Sequence, residues 1–252
     1  MKASLTEVIK KTNEDTINNM GKSIVGFLIN WGVNFGVGMA AQILMMLGLI
    51  FFIFQNIWCY IIGSVIIAIL GIISLSLAGV IEYGLYVFYL KITRGEETTY
   101  STLFSGKNYI KKITLFQILK YVKFGIYLIL GCAVVFVPHW LISPERDINI
   151  FETIYIIFFS IFLIIKLQIY NFGYYIINDN PEIGIFEVFR RIRSLIRGEI
   201  VNVLLVFLVY LLVMIISLCT LWIGIIIGVP YIMILFANYY NSLEDKQEKE
   251  YL

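Results

Sequence analysis

Glu82 and Lys166 are ionisable residues set inside long apolar runs, 57–90 and 150–177. A charge in such a place is expensive, about 2.5–3.5 kcal/mol for lysine at the centre of a spanning helix, so it turns toward a counter-charge, a wet cavity or the interface. Lys166 precedes Asn178 by twelve residues and Glu82 precedes Lys91 by nine. At about 1.5 Å per residue they lie roughly 18 Å and 13 Å from the same end of their helices. A lysine stem bridges that difference, so one expectation is a Glu82 to Lys166 pair serving an ion or small solute. The other is that Lys166 snorkels while Glu82 reaches interfacial water.

A second polar set recurs every four residues on the first run: Gly26, Asn30, Asn34, Gly38 and Gln42, beside the small residues Gly32, Gly36 and Ala40. Close helix approach with amide hydrogen bonds between helices accounts for it, and a polar substrate track would use the same residues. Tests for catalysis fail. The sole histidine, His139, stands beside Pro138, so no histidine-based metal site or HExxH helix can be assembled. Gly21-Lys22-Ser23 imitates the end of a phosphate-binding loop, but Thr16 occupies the place of its first glycine and no strand precedes it. With no convergent nucleophile and base, the expectation is no enzyme, no metal and no cofactor.

The elements that must carry these residues are helices. The chain has 252 residues, 60% of them hydrophobic and 14% charged, with a mean hydropathy of +0.88. A soluble core cannot hide that much apolar surface. Six runs, 23–54, 57–90, 113–137, 150–177, 200–218 and 221–240, are each long enough to cross a hydrocarbon layer of about 30 Å. Spanning backbone must satisfy its polar groups internally, and the runs lack the alternation of barrel strands. The fold class is therefore all-α, an integral membrane bundle of six transmembrane helices forming a single domain. Only Gln55 and Asn56 separate the first two runs, which makes an antiparallel hairpin, and 218–221 makes another.

Charge sets the expected orientation. Of 19 Lys and Arg, Lys2, Lys10, Lys11 and Lys22 precede the first run, seven fall between Lys91 and Lys123, and Arg190, Arg191, Arg193 and Arg197 follow the fourth run. Lys246 and Lys249 close the chain, and the opposite loops hold only Arg146, beside Glu145, Asp147 and Glu152. The excess of cations on cytoplasmic loops then puts both termini inside. Trp58, Trp140 and Trp222 fall at external ends, where tryptophan favours the interface. Cys59, Cys132 and Cys219 are read as packing thiols.

Two amphipathic helices are expected at the cytoplasmic face. In 1–22, Ser4 and Glu7 form a capping box, and Leu5, Val8, Ile9, Ile17 and Met20 give one apolar side ending near Gly21. In 180–198, Asn180 and Pro181 suit Ncap and N1 and Gly198 suits C′. Ile183, Phe186, Phe189, Ile192 and Ile196 form its apolar side; Arg190, Arg191, Ser194 and Arg197 fall opposite, with Glu187 spaced to pair with Arg191. Arg190, Arg191, Arg193 and Arg197 are thus a candidate surface for lipid headgroups or a partner. In the loop 93–112, Leu103 and Phe104 can dip into the bilayer, and 241–252 reads as a cytoplasmic tail. Nucleic acid is not an expected partner, because orientation already accounts for the charge.

Arg94-Gly95-Glu96 with Leu103-Phe104, Asp179-Asn180-Pro181 with Arg193-Ser194 and Gly198, Gly228-Val229-Pro230-Tyr231, and Phe236-Ala237-Asn238-Tyr239-Tyr240 stand in this order and spacing. Through them the chain resembles, over nearly its full length, the bacterial multi-pass membrane proteins grouped as domain of unknown function 975. Phe162-Leu163 replace a Pro-Gly break that such proteins often carry shortly before a lysine, which argues against a kinked fourth span. The resemblance implies the bacterial cytoplasmic membrane and supplies no reaction; a distant likeness to membrane portions of some glycerophosphodiester phosphodiesterases suggests work at the lipid surface. The leading expectation is a non-enzymatic protein engaging membrane lipids, a membrane-active peptide or another membrane protein, in an accessory or protective role. The alternative is a small carrier or channel using Glu82 and Lys166.

Overall fold

A computed structural model describes the backbone of residues 5–54, 56–142, 150–220 and 223–251, and their side chains except at 135–142, 223 and 248–251. Among them there is no strand. The helices are α1 (Leu5–Asn18), α2 (Met20–Ile50), α3 (Ile57–Thr93), α4 (Ile110–Ile142), α5 (Ile150–Asp179), α6 (Ile185–Ile196), α7 (Ile200–Cys219) and α8 (Ile223–Tyr251). Six stretches of helix are long and apolar enough to cross a membrane, so the architecture is the all-α membrane bundle expected. Ser4, Arg146 and Trp222 lie outside the described residues, as do the side chains of His139 and Trp140.

Local chemistry accounts for the joints. After α2 a 3-10 turn, Phe51–Phe54, reverses the chain, and the Asn56 side chain caps α3 by accepting from the Trp58 amide at 2.9 Å. Gly95, at φ +69°, closes α3 with the Glu96 amide donating to the Lys91 carbonyl and the Gly95 amide to that of Ile92, a Schellman arrangement that requires a left-handed residue. In the α7 to α8 hairpin the Gly224 amide donates to the Thr220 hydroxyl at 3.0 Å, and Cβ atoms at Gly224 and Gly228 would strike Thr220 and Ser217. This GxxxG serves contact within the chain.

The sequence places several elements differently. Asn180 does not cap α6: its amide donates to the Ile176 carbonyl, closing α5, and its carbonyl accepts from the Ile183 amide in a turn. Pro181 lacks the N–H needed to extend α5, and α6 starts only after Gly184. Of the 241–252 tail, residues 241–251 are helical, continuous with α8, with Leu243 buried. Residues 138–142 continue α4. The first helix ends at Asn18 and docks on α8: Asn238 donates to Asp15 at 2.9 Å and Tyr231 to Asn13 at 3.0 Å. Val8 and Thr12 are buried there, with Leu5 and Ile9 packed against the core, while Ile17 is 74% exposed, so the apolar side is covered only over the first turns.

Burial is concentrated at one end of the bundle. In α3 the large apolar residues of 57–77 are mostly exposed, whereas 83–90 are all buried. In α4 Ile113, Phe116, Gln117 and Lys120 are buried and Tyr121, Val122, Ile126 and 128–130 are exposed. In α5 the exposed residues precede Ile165, and 171–177 are all buried. The exposed half of α3 rises roughly 30 Å, the thickness of a hydrocarbon core. The buried ends form a compact aromatic core with α6, α8 and a 3-10 segment, Tyr100–Tyr109.

That 3-10 segment occupies the loop from which Leu103 was expected to reach the bilayer; instead Leu103 is 1% exposed, inside the core, and Phe104 stays at the surface. Two glycines permit the crossing: a Cβ at Gly84 would overlap the Leu103 carbonyl, and one at Gly106 would press on that of Val80. Backbone cannot rotate aside, so Gly84→Ala is expected to lower stability by about 2 kcal/mol through overpacking. Equilibrium unfolding in mixed micelles measures this; a loss indistinguishable from zero would show that the segment can lift away.

Candidate functional site

Glu82 pairs with Lys120, not with Lys166. The Lys120 ammonium, its side chain 1% exposed, lies 3.5 Å from the Glu82 carboxylate, whose side chain is 30% exposed. It also donates to Asn171 Oδ1 at 3.1 Å and to the Tyr174 hydroxyl at 3.2 Å, which uses all three of its hydrogens. Glu82 accepts further from Tyr174 and from Gln117, both at 2.8 Å, and Asn171 donates to Tyr86 at 2.7 Å. The network joins α3, α4 and α5 where exposed apolar surface gives way to the core. Gln117 with Lys120, and Asn171 with Tyr174, each repeat at i, i+3, which puts both pairs on single helix faces. That spacing was legible in the sequence.

Lys166 belongs to a second site. It lines a half-open groove of ≈970 Å³ between α4, α5 and α6, together with Lys123, Arg190, Arg193 and Arg197. Aromatic and aliphatic side chains, among them Tyr127, Tyr170, Phe186 and Phe189, make up the rest of its wall, and no Asp or Glu lines it. The Lys123 ammonium sits 3.6 Å from the Phe189 ring centroid, and that of Lys166 sits 5.5 Å from the Phe162 centroid, contacts typical of cations over π faces. Among the described residues none of the five forms an ion pair. Five like charges converge here without a counter-charge.

The orientation of α6 differs from the expected one in a way that creates this groove. Val188, Phe189, Ile192 and Leu195 are the buried face, and Phe186 is 75% exposed. Arg191 turns away into a separate recess with Asp179, Glu182 and Glu187. Four arginines close in sequence therefore divide three to one. Helical rotation explains the division, since Arg190, Arg193 and Arg197 recur at i, i+3 and i+7 and Arg191 falls 100° from Arg190.

At the far end of the core Arg94 closes a third cluster. Its guanidinium donates to both carboxylate oxygens of Asp179 at 2.7 and 2.9 Å, to Glu244 at 3.2 Å and to Asn241 at 3.0 Å. The Tyr240 hydroxyl lies 2.9 Å from an oxygen of each acid. The hydrogen bond to Asp179 raises the Arg94 pKa above its ordinary value against the opposing pull of burial. This fork joins the ends of α3 and α5 to α8.

The polar stripe of α2 is divided too. Asn30 is buried and donates to the Ile81 carbonyl at 3.0 Å, and Asn34 donates to Asn30 at 2.9 Å. Gln42 is exposed, and Cβ atoms at Gly32, Gly36 and Gly38 would meet open space. At its Gly26 and Asn30 end the stripe packs against α3. Glu82, Lys166 and Gln42 thus occupy three separate environments. The three cysteines are free thiols. No family model, curated protein or solved structure matches the chain.

Proposed function

We propose that the chain is a non-enzymatic multi-pass protein of a bacterial cytoplasmic membrane, both termini in the cytoplasm, that engages anionic lipid through the α6 groove in an accessory or protective role. The observation that carries this is five unpaired cations on an apolar wall, at the level where the helices pass from exposed apolar surface into the core. An anionic headgroup is attracted to such a groove while acyl chains follow the exposed faces of α4 and α5. The distribution of Lys and Arg along the chain supports the orientation. Membership of the group resembled above is part of the proposal, supported by the meeting of its motif residues Arg94, Asp179 and Tyr240 in one cluster.

At about 1 kcal/mol per basic residue, replacing Arg190, Arg193 and Arg197 together with alanine is expected to weaken binding of phosphatidylglycerol by roughly 3 kcal/mol, on the order of a hundredfold. Native mass spectrometry of the full chain in detergent, titrated with phosphatidylglycerol or phosphatidylcholine, reads the effect. Equal retention of the two lipids by the unaltered protein would remove the proposal.

A further inference from the structure

Resting on that reading, we infer that the α6 groove takes a lipid carrying two phosphates in one headgroup, held as two phosphodiesters on a short carbon bridge. Charge is the first reason. A single phosphodiester brings one negative charge against the five cations of a wall that holds no acid, and a second one in the same headgroup doubles the charge that is offset. Converging like charges destabilise the site unless a ligand of matching charge arrives. Lys123 and Lys166 contribute from the spanning helices and the three arginines from α6, so the cations surround the groove instead of forming a single row.

Length is the second reason. Arg190 and Arg193 share one face of α6, and Arg197, the C-cap residue that follows it, continues their line, a rise of about 10 Å from first to last. A diphosphate, whose two phosphorus atoms share one oxygen, is shorter than that row and leaves an end of it unused. Two phosphodiesters on a three-carbon bridge extend along the row, one toward each end. Basic pockets between membrane helices recognise such headgroups by this chemistry. The apolar wall, with Ile126, Ile169 and Ile200, accepts the glyceride portions that adjoin the phosphates.

The full-length protein in detergent, titrated separately with diphosphatidylglycerol, with phosphatidylglycerol at equal total phosphate, and with zwitterionic phosphatidylethanolamine, tests the inference by native mass spectrometry. Diphosphatidylglycerol is expected to bind about tenfold more tightly than phosphatidylglycerol at equal phosphate. Arg190→Gln or Arg197→Gln alone should bring that ratio near one by weakening the two-phosphate lipid far more than the other, because a single phosphate can still use the intact end. Both side chains are exposed, so the variants keep the core. Lys111→Ala, at the exposed start of α4 and outside the groove, should leave the ratio unchanged. Equal affinities for the two anionic lipids, or equal losses for both in the single variants, would overturn the two-phosphate inference and leave the lipid reading standing. Failure to prefer either anionic lipid over the zwitterionic one would overturn both.

Discussion

Glu82→Ala is expected to cost about 3–5 kcal/mol of folding stability, because it strands a charged lysine in the core. Lys120 is 1% exposed at its side chain and cannot reach water by rotation. Its remaining partners, Asn171 and Tyr174, are neutral, so nothing near it balances the charge. The reverse change, Lys120→Met, should cost less, since Glu82 is 30% exposed, keeps its bonds from Gln117 and Tyr174 and can draw on solvent. Combining the two should recover much of the loss, with a coupling of about 2 kcal/mol. Glu82→Ala with Lys166→Met should instead add within about 0.5 kcal/mol, the mark of residues without a shared partner. Equilibrium unfolding in mixed micelles, with Lys166→Met measured alone as well, gives all five values. Strong coupling of Glu82 to Lys166 together with none to Lys120 would invalidate the arrangement described.

Arg94→Ala should be the next most damaging change, at about 3 kcal/mol. It removes the guanidinium that bonds both carboxylates of the cluster, Asp179 and Glu244, whose side chains are 15% and 22% exposed. The two acids also share Tyr240, so without the guanidinium they repel each other across one hydroxyl. Partial exposure places the cost at the lower edge of the range for buried pairs. Arg94→Lys keeps the charge but not the fork that meets both oxygens of Asp179, and about half the loss should remain. The effect should be seen first as fraying of α8 beyond Tyr240, measured by hydrogen exchange of amides at 241–247. Uniform exchange across the molecule in Arg94→Ala would argue against a local clamp.

The two variants separate stability from lipid engagement. Neither Glu82 nor Arg94 lines the α6 groove, so a destabilised but folded variant should retain its preference for anionic lipid. Groove variants should show the opposite pattern, with altered binding and unchanged unfolding.

The amino-acid sequence alone determined that this chain is a bundle of six long apolar helices, because in a hydrocarbon layer each backbone group must find its partner within four residues of itself. It also determined several joints for the same reason of locality: Asn56 caps the helix it precedes, and Gly198 at φ +85° ends α6. Locality also misled. Asn180 and Pro181 suit the start of a helix and the end of one equally well, and it is the packing of 171–177 into the core that assigns them to α5. Which polar side chains meet was settled only in three dimensions. Glu82 meets Lys120 of α4 and Tyr174 of α5, a residue about 12 Å along the helix from Lys166, and these meetings depend on how α4 and α5 are placed and rotated about their axes. That rotation is fixed by contacts distant in sequence, such as the aromatic rings of Phe116 and Tyr174 meeting at 5.3 Å. The same rotation frees Lys166 to join three arginines of α6, and the groove follows from tertiary packing because its walls come from helices that share no local hydrogen bond.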